Sequence, residues 1–120
     1  MTGPAIQLPL PPDERLQRFL DVYLPRIEET YSPVRVWLWG SHAYGTPDLW
    51  SDIDIVVVSD SFEGVGRIAR MSRLVRELGI WRDALIGAVE PLCYTDAEFD
   101  RLMTRISIVR EGIEKGRRLL

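Results

Sequence analysis

Residues 34–45 read Val34-Arg35-Val36-Trp37-Leu38-Trp39-Gly40-Ser41-His42-Ala43-Tyr44-Gly45, and residues 51–59 read Ser51-Asp52-Ile53-Asp54-Ile55-Val56-Val57-Val58-Ser59. The first stretch is β-branched and aromatic as far as Trp39, which predicts a strand apolar enough on both faces to lie inside a sheet. It breaks at Gly40. The second stretch alternates at its start and then turns wholly apolar, predicting another strand over 52–59. Between them Gly40 to Ser51 is a polar connection, in which Ala43-Tyr44 can form the first turn of a short helix. Strand side chains alternate between faces, so Asp52 and Asp54 leave one face while Ile53 and Ile55 enter the core.

Working outward, the N-terminal side opens with prolines at 4, 9, 11 and 12. Residues 1–12 therefore read as an extended, proline-rich lead-in to a domain over 13–120. Asp13 is placed to cap a helix carrying Leu16, Phe19, Leu20, Tyr23 and Ile27 inward. Pro25 should kink or restart that helix near Leu24, and Ser32-Pro33 ends it. On the C-terminal side, Ile68, Met71, Leu74, Val75 and Leu78 mark a helix that stops at Gly79. Ala84 to Tyr94 reads as a third strand, with Gly87 and Pro91 as flaws that point to a bulge or a sheet edge. Thr95-Asp96-Ala97-Glu98 is a capping box for a helix with Phe99, Leu102, Met103 and Ile106 inward. Gly112 should end or interrupt it, and Ile113 to Leu120 has no clear pattern. The whole is one small α/β (α+β) domain, a mixed sheet with flanking helices.

Composition narrows the function. The chain has 120 residues, 46% hydrophobic and 28% charged, as a soluble domain with one modest core requires. Fifteen basic against 18 acidic residues give a formal charge of −3, which argues against a protein that coats nucleic acid. All but one of the basic residues, Lys115, are arginines. The single cysteine, Cys93, can form no internal disulfide, and the single histidine, His42, can build no histidine-rich metal site. The N-terminus shows no signal-peptide pattern and no apolar run approaches a membrane span, so a cytoplasmic location is expected.

The chemistry sits where the two strands meet. Two carboxylates on one face at a strand end repel each other unless a cation lies between them, and hard oxygen ligands suit Mg²⁺. Taken alone, an Asp-x-Asp is more often a strand start with a solvated polar face. Gly40-Ser41 directly after a buried strand adds a backbone that can approach a phosphate, with a hydroxyl donor beside it. Neither a Walker A sequence nor G-x-G-x-x-G is present, which removes support for P-loop and Rossmann readings.

Gly40-Ser41, ten residues, then Asp52-x-Asp54, with Gly45 and the Ser51 to Val58 block, resembles the minimal nucleotidyltransferases of the DNA polymerase β-like superfamily. The likeness extends through Val89-Glu90-Pro91-Leu92-Cys93-Tyr94-Thr95 and Glu98-Phe99 to Arg110-Glu111-Gly112-Ile113. It implies Mg²⁺-dependent transfer of a nucleoside monophosphate, with ATP and AMP the favoured pair, onto a hydroxyl acceptor. Ser41 and the backbone at Gly40 would hold nucleotide phosphates. Asp52 and Asp54 would bind two Mg²⁺ ions. A third acid would join a metal and take the acceptor's proton. Here the sequence departs from the family, because Glu90 stands where Asp is usual. Glu90 is the first choice for that role and Asp83 the second.

The same resemblance implies a partner, either a second copy or an all-helical HEPN-type protein, in an antitoxin-like arrangement where a partner tyrosine is one acceptor. A small-molecule hydroxyl is another. The alternative is a weak or inactive nucleotide-binding module that acts on its partner by contact. Tyr44 reads more simply as packing beneath the loop, His42 as a surface loop residue, and Trp50 as a hydrophobic loop anchor or partner contact, than as nucleotide contacts. Arg67, Arg70, Arg73 and Arg76 recur every three residues, which predicts a solvated helix face before it predicts a docking surface for an acidic partner or RNA.

Overall fold

The computed structural model describes residues 9–120. Of the extended lead-in expected over 1–12, residues 1–8 lie outside the described residues, and helix α1 (Pro12–Arg18) already includes Pro12. Asp13 is not its cap. Pro11 takes that position and Pro12 begins the first turn, where a missing N–H and a fixed φ are no handicap. A π-helical turn, Phe19–Tyr23, joins α1 to α2 (Leu24–Tyr31). This is the restart expected from Pro25, which falls at the beginning of α2.

The sheet follows from β1 (Arg35–Trp39), β2 (Ile53–Val58), β3 (Val89–Tyr94) and the two-residue β4 (Arg117–Arg118). Its order is β3-β2-β1-β4, with β2 antiparallel to β1 and parallel to β3. The sheet is mixed, as expected. β3 lies at an edge, where Pro91 is tolerated, but it is shorter than the expected Ala84–Tyr94. Residues 84–86 turn instead, and Gly87 takes a positive φ of 69°.

Two layers of helix cover the sheet. Val36, Leu38, Ile53, Ile55, Val57 and Cys93 face a core shared with Phe19, Tyr23, Ile27 and Leu74, from the π turn, α2 and α4 (Arg67–Glu77). Val56, Val58 and Tyr94 face the other way, against Phe99, Leu102 and Val109 of α5 (Asp96–Met103) and α6 (Ile108–Lys115). Strand alternation thus divides β2 between two cores, and Asp54 falls on the α5/α6 face.

Three helix expectations change. Ile68 is 82% exposed and Ile106 98%, whereas Arg70 is 5% exposed. The N-terminal end of α4 meets the corner between β3 and α5, which is polar. There Arg70 donates to the Cys93 and Val65 carbonyls and pairs with Glu98. The arginine row is accordingly not one free face: Arg73 pairs with Glu77, and Arg67 lies over the Tyr94 ring. Gly112, expected as a stop, lies inside α6. A Cβ there would overlap the Trp39 ring, so this glycine allows helix and sheet to touch.

Glu98 has two duties. Its carboxylate accepts from the Thr95 N–H at 2.8 Å, completing the capping box, and it holds the buried Arg70. Hydrogen bonding from Arg70 outweighs burial and draws its pKa down to about 2. A depressed folded pKa gives stability that is complete above the unfolded value near 4.5 and is lost as pH falls toward 2. Urea midpoints of wild type and Glu98→Gln should therefore differ most above pH 5 and converge between pH 4.5 and 2. A constant difference across that range would show that the ionised carboxylate contributes nothing.

Candidate active site

Chain pairing, not sequence proximity, assembles this site. Because β1 and β2 run antiparallel, Asp54 is the register partner of Trp39, the residue before Gly40. Because β2 and β3 run parallel, Asp54 is also the partner of Glu90. Direct neighbours in a sheet share a face, so the two carboxylates stand side by side. Further along that face Val56 and Val58 are buried, whereas Asp54 is half-buried and Glu90 exposed. Asp52, one residue ahead of β2, is exposed.

The electrostatics follow from this crowding. Burial raises the Asp54 pKa to about 6, helped by the negative charges of Glu90 and Asp52 beside it. A carboxylate uncomfortable in its ionised form is one that a cation would relieve.

Gly40 lies against the same acid. It has φ +72° and ψ −157°, a region open essentially to glycine alone, and a Cβ there would overlap the Asp54 carboxylate. Helix α3 (Ser41–Tyr44) begins immediately after it, the short helix expected from Ala43-Tyr44. Ala43 and Tyr44 donate their N–H groups to the Gly40 carbonyl. Ser41 is the first residue of that helix, directly after the glycine that lies against Asp54.

The remaining candidates are also placed. Asp83 accepts from Arg18 Nε at 2.7 Å, from the Tyr23 hydroxyl and from the Leu85 N–H, so it anchors α1 and the π turn rather than joining the acids. His42 Nε2 lies 3.3 Å from the Ser51 carbonyl, and burial lowers its pKa. Tyr44 is 49% exposed and Trp50 78%, so neither packs beneath its loop. One residue escaped the sequence reading entirely. Arg15 is 1% exposed and donates to the Ser51 and Asp48 carbonyls, both at 3.0 Å. Its apolar neighbours on α1 gave no sign of an inward-pointing arginine.

The donor set fits a hard divalent cation. It is all oxygen, with Asp54 and Glu90 adjacent and Asp52 close enough for its charge to act on Asp54. Among the described residues no three acidic, histidine or cysteine side chains are gathered tightly enough to hold an ion unaided.

A family model, the nucleotidyltransferase domain, matches residues 20–115. The chain belongs to the nucleotidyltransferase domain family. A Sulfolobus solfataricus protein, provisionally named a nucleotidyltransferase in its crystal structure, shares the fold of this nucleotidyltransferase domain. The TM-score is 0.55 at 20% identity, over 89% of this chain and 84% of the other. No curated protein matches it. No helix among the described residues of the nucleotidyltransferase domain is long and apolar enough to cross a membrane.

Proposed function

We propose that this chain transfers a nucleoside monophosphate, AMP from ATP, to a hydroxyl acceptor. The observation that carries the reading is the pairing of Asp54 with Glu90 directly beside Gly40-Ser41, in a chain of the nucleotidyltransferase family. Asp52, Asp54 and Glu90 are the residues that would hold two Mg²⁺ ions. When bound, the metal supplies charge stabilisation at the attacking and leaving oxygens of the displacement.

The chain's own groups divide the rest of the work. Ser41 Oγ and the backbone at Gly40 hold the β- and γ-phosphates and so fix the α-phosphorus against the acids. The acceptor oxygen attacks that phosphorus, the bond to the bridging oxygen breaks, and pyrophosphate leaves. Glu90 takes the acceptor's proton, and its exposure leaves room for an acceptor to approach. Its extra methylene relative to Asp is accommodated because the Glu90 side chain is exposed. A tyrosine of a helical HEPN-type partner is the acceptor we favour, since a site open to solvent on a domain this small can accept a macromolecular substrate.

Calorimetric titration with each NTP, with and without Mg²⁺, tests the reading on wild type and Asp52→Asn. Binding that requires Mg²⁺, prefers ATP and fails in the variant is the expected result. Nucleotide binding indifferent to Mg²⁺ and to Asp52→Asn would sink the catalytic reading and leave a module that works by contact alone. Transfer of label from α-³²P ATP to a protein in a source-cell extract then tests the acceptor.

A further inference from the structure

The residue least explained by the family pattern is Arg15. It lies outside residues 20–115, on α1, yet reaches 33 and 36 residues along the chain to the Asp48 and Ser51 carbonyls. Those carbonyls belong to the turn that delivers Asp52. The turn is braced internally: Ser51 N–H donates to the Asp48 carbonyl at 3.2 Å, and the Asp48 and Trp50 N–H groups donate to Ser51 Oγ and Asp48 Oδ1 at 2.9 and 2.8 Å. The Ser51 carbonyl also meets His42, next to Ser41. It therefore joins three parts of the site: the helix bearing Arg15, the phosphate arm and the first acid.

Burying a guanidinium is costly unless its charge is answered, and here, among the described residues, no carboxylate is hydrogen-bonded to it. Among the described residues its Nε has no partner. What faces it is negative: two carbonyl oxygens, and the charges of Asp52 and Asp48. Arg15 and Asp52 line the same cleft, together with Trp50. The guanidinium also abuts Gly87, three residues before Glu90, where a Cβ would stand 3.1 Å from Nη1. One buried cation thus touches the segments that lead into two of the three acids.

We propose that Arg15 is a positioning residue for the acid cluster, a buried guanidinium that fixes the Asp48–Ser51 turn and thereby presents Asp52 to the Asp54–Glu90 pair. This rests on the reading that Asp52 receives a metal ion. Arg15 touches neither substrate nor metal. Its effect is that the turn is already ordered before any ion arrives, and that a fixed positive charge faces Asp52.

The test uses the whole chain and two readouts. Hydrogen exchange of the metal-free wild type should find the Trp50 and Ser51 amides protected, with little further slowing when Mn²⁺ is added. Mn²⁺ titration followed by electron paramagnetic resonance should show Arg15→Gln weaker by about tenfold, the usual consequence of losing an outer support of a metal site, with faster exchange in the turn. Arg15→Lys keeps the charge but not the two-pronged grip, so it should retain more affinity than Arg15→Gln without the slow exchange. Leu74→Ala, a core change remote from the turn, should lower the melting temperature and leave both readouts alone. Mn²⁺ affinity in Arg15→Gln within twofold of wild type, or an equal loss in Leu74→Ala, would overturn the proposal. Should the Arg15 variants not fold, wild-type amides that exchange freely until Mn²⁺ is added would overturn it as well. Wild type that takes up no Mn²⁺, with or without ATP, overturns the proposed function instead; the metal-free exchange still decides whether the turn is pre-ordered.

Discussion

Asp54→Asn abolishes nucleotidyl transfer, by at least about a thousandfold, and yet makes the metal-free protein more stable at pH 7.5. The loss follows from removing a negative ligand from a reaction that depends on charge stabilisation and positioning. The gain follows from burial and the neighbouring charges of Glu90 and Asp52, which raise the Asp54 pKa from 3.8 to about 6. An acid whose folded pKa is raised destabilises the folded state at any pH above that value, where it must stay ionised. As pH falls through 6 the folded form accepts a proton first, and by pH 3.8 the penalty has gone. The variant should thus be more stable than wild type by about 1–2 kcal/mol above pH 6.5 and equal to it below pH 4. Added Mg²⁺ should stabilise wild type and not the variant. Urea unfolding from pH 3.5 to 8, beside a labelled-transfer assay, reads all three. A variant less stable than wild type at pH 7.5 would mean that Asp54 serves the fold rather than the chemistry.

Gly40→Ala is the second large effect, and it strikes fold and function together. The backbone at φ +72° and ψ −157° disfavours any residue with a Cβ, at about 1–3 kcal/mol. The new methyl would also overlap the Asp54 carboxylate and push it away from Glu90. Stability should fall by about 2–4 kcal/mol, near the upper range for single substitutions, and transfer by at least about a hundredfold. A double-mutant cycle separates the two causes. In an Asp54→Ala background the overlap disappears, so Gly40→Ala should cost only the backbone part. An identical cost in both backgrounds would show that the carboxylate and the glycine do not contend for the same space.

These effects differ in how far the chain alone foretold them. Gly40-Ser41 and Asp52-x-Asp54 were legible because both are local: a glycine that ends an apolar strand, and two acids in period-two alternation. The restart at Pro25, the capping box at Thr95 and the stop at Gly79, with its φ of +78°, were legible for the same reason. Each is decided within about one turn of backbone. The β3 boundary was not. Ala84 to Ala88 is apolar enough for a strand, but pairing with β2 begins only where Val89 meets Ile53.

The misread helix residues share one cause. Ile68, Arg70 and Ile106 were judged by polarity, and their burial was set by what stands opposite. Glu98 and the Cys93 carbonyl draw Arg70 inward, and nothing in the spacing of α4 announces a polar neighbour 28 residues away. Arg15 escaped for the same reason, since its partners lie on a turn more than 30 residues off.

The sequence by itself therefore determined the two central strands, the Gly40-Ser41 and Asp52-x-Asp54 pattern and the family it resembles. Only the tertiary structure decided that Glu90 rather than Asp83 stands beside Asp54, since that depends on the register of a parallel strand pair and on the demands of Arg18 and Tyr23. Only it revealed the buried Arg15 behind Asp52. Local geometry is written in neighbouring residues, whereas the field around a charge is written in whatever the fold brings next to it.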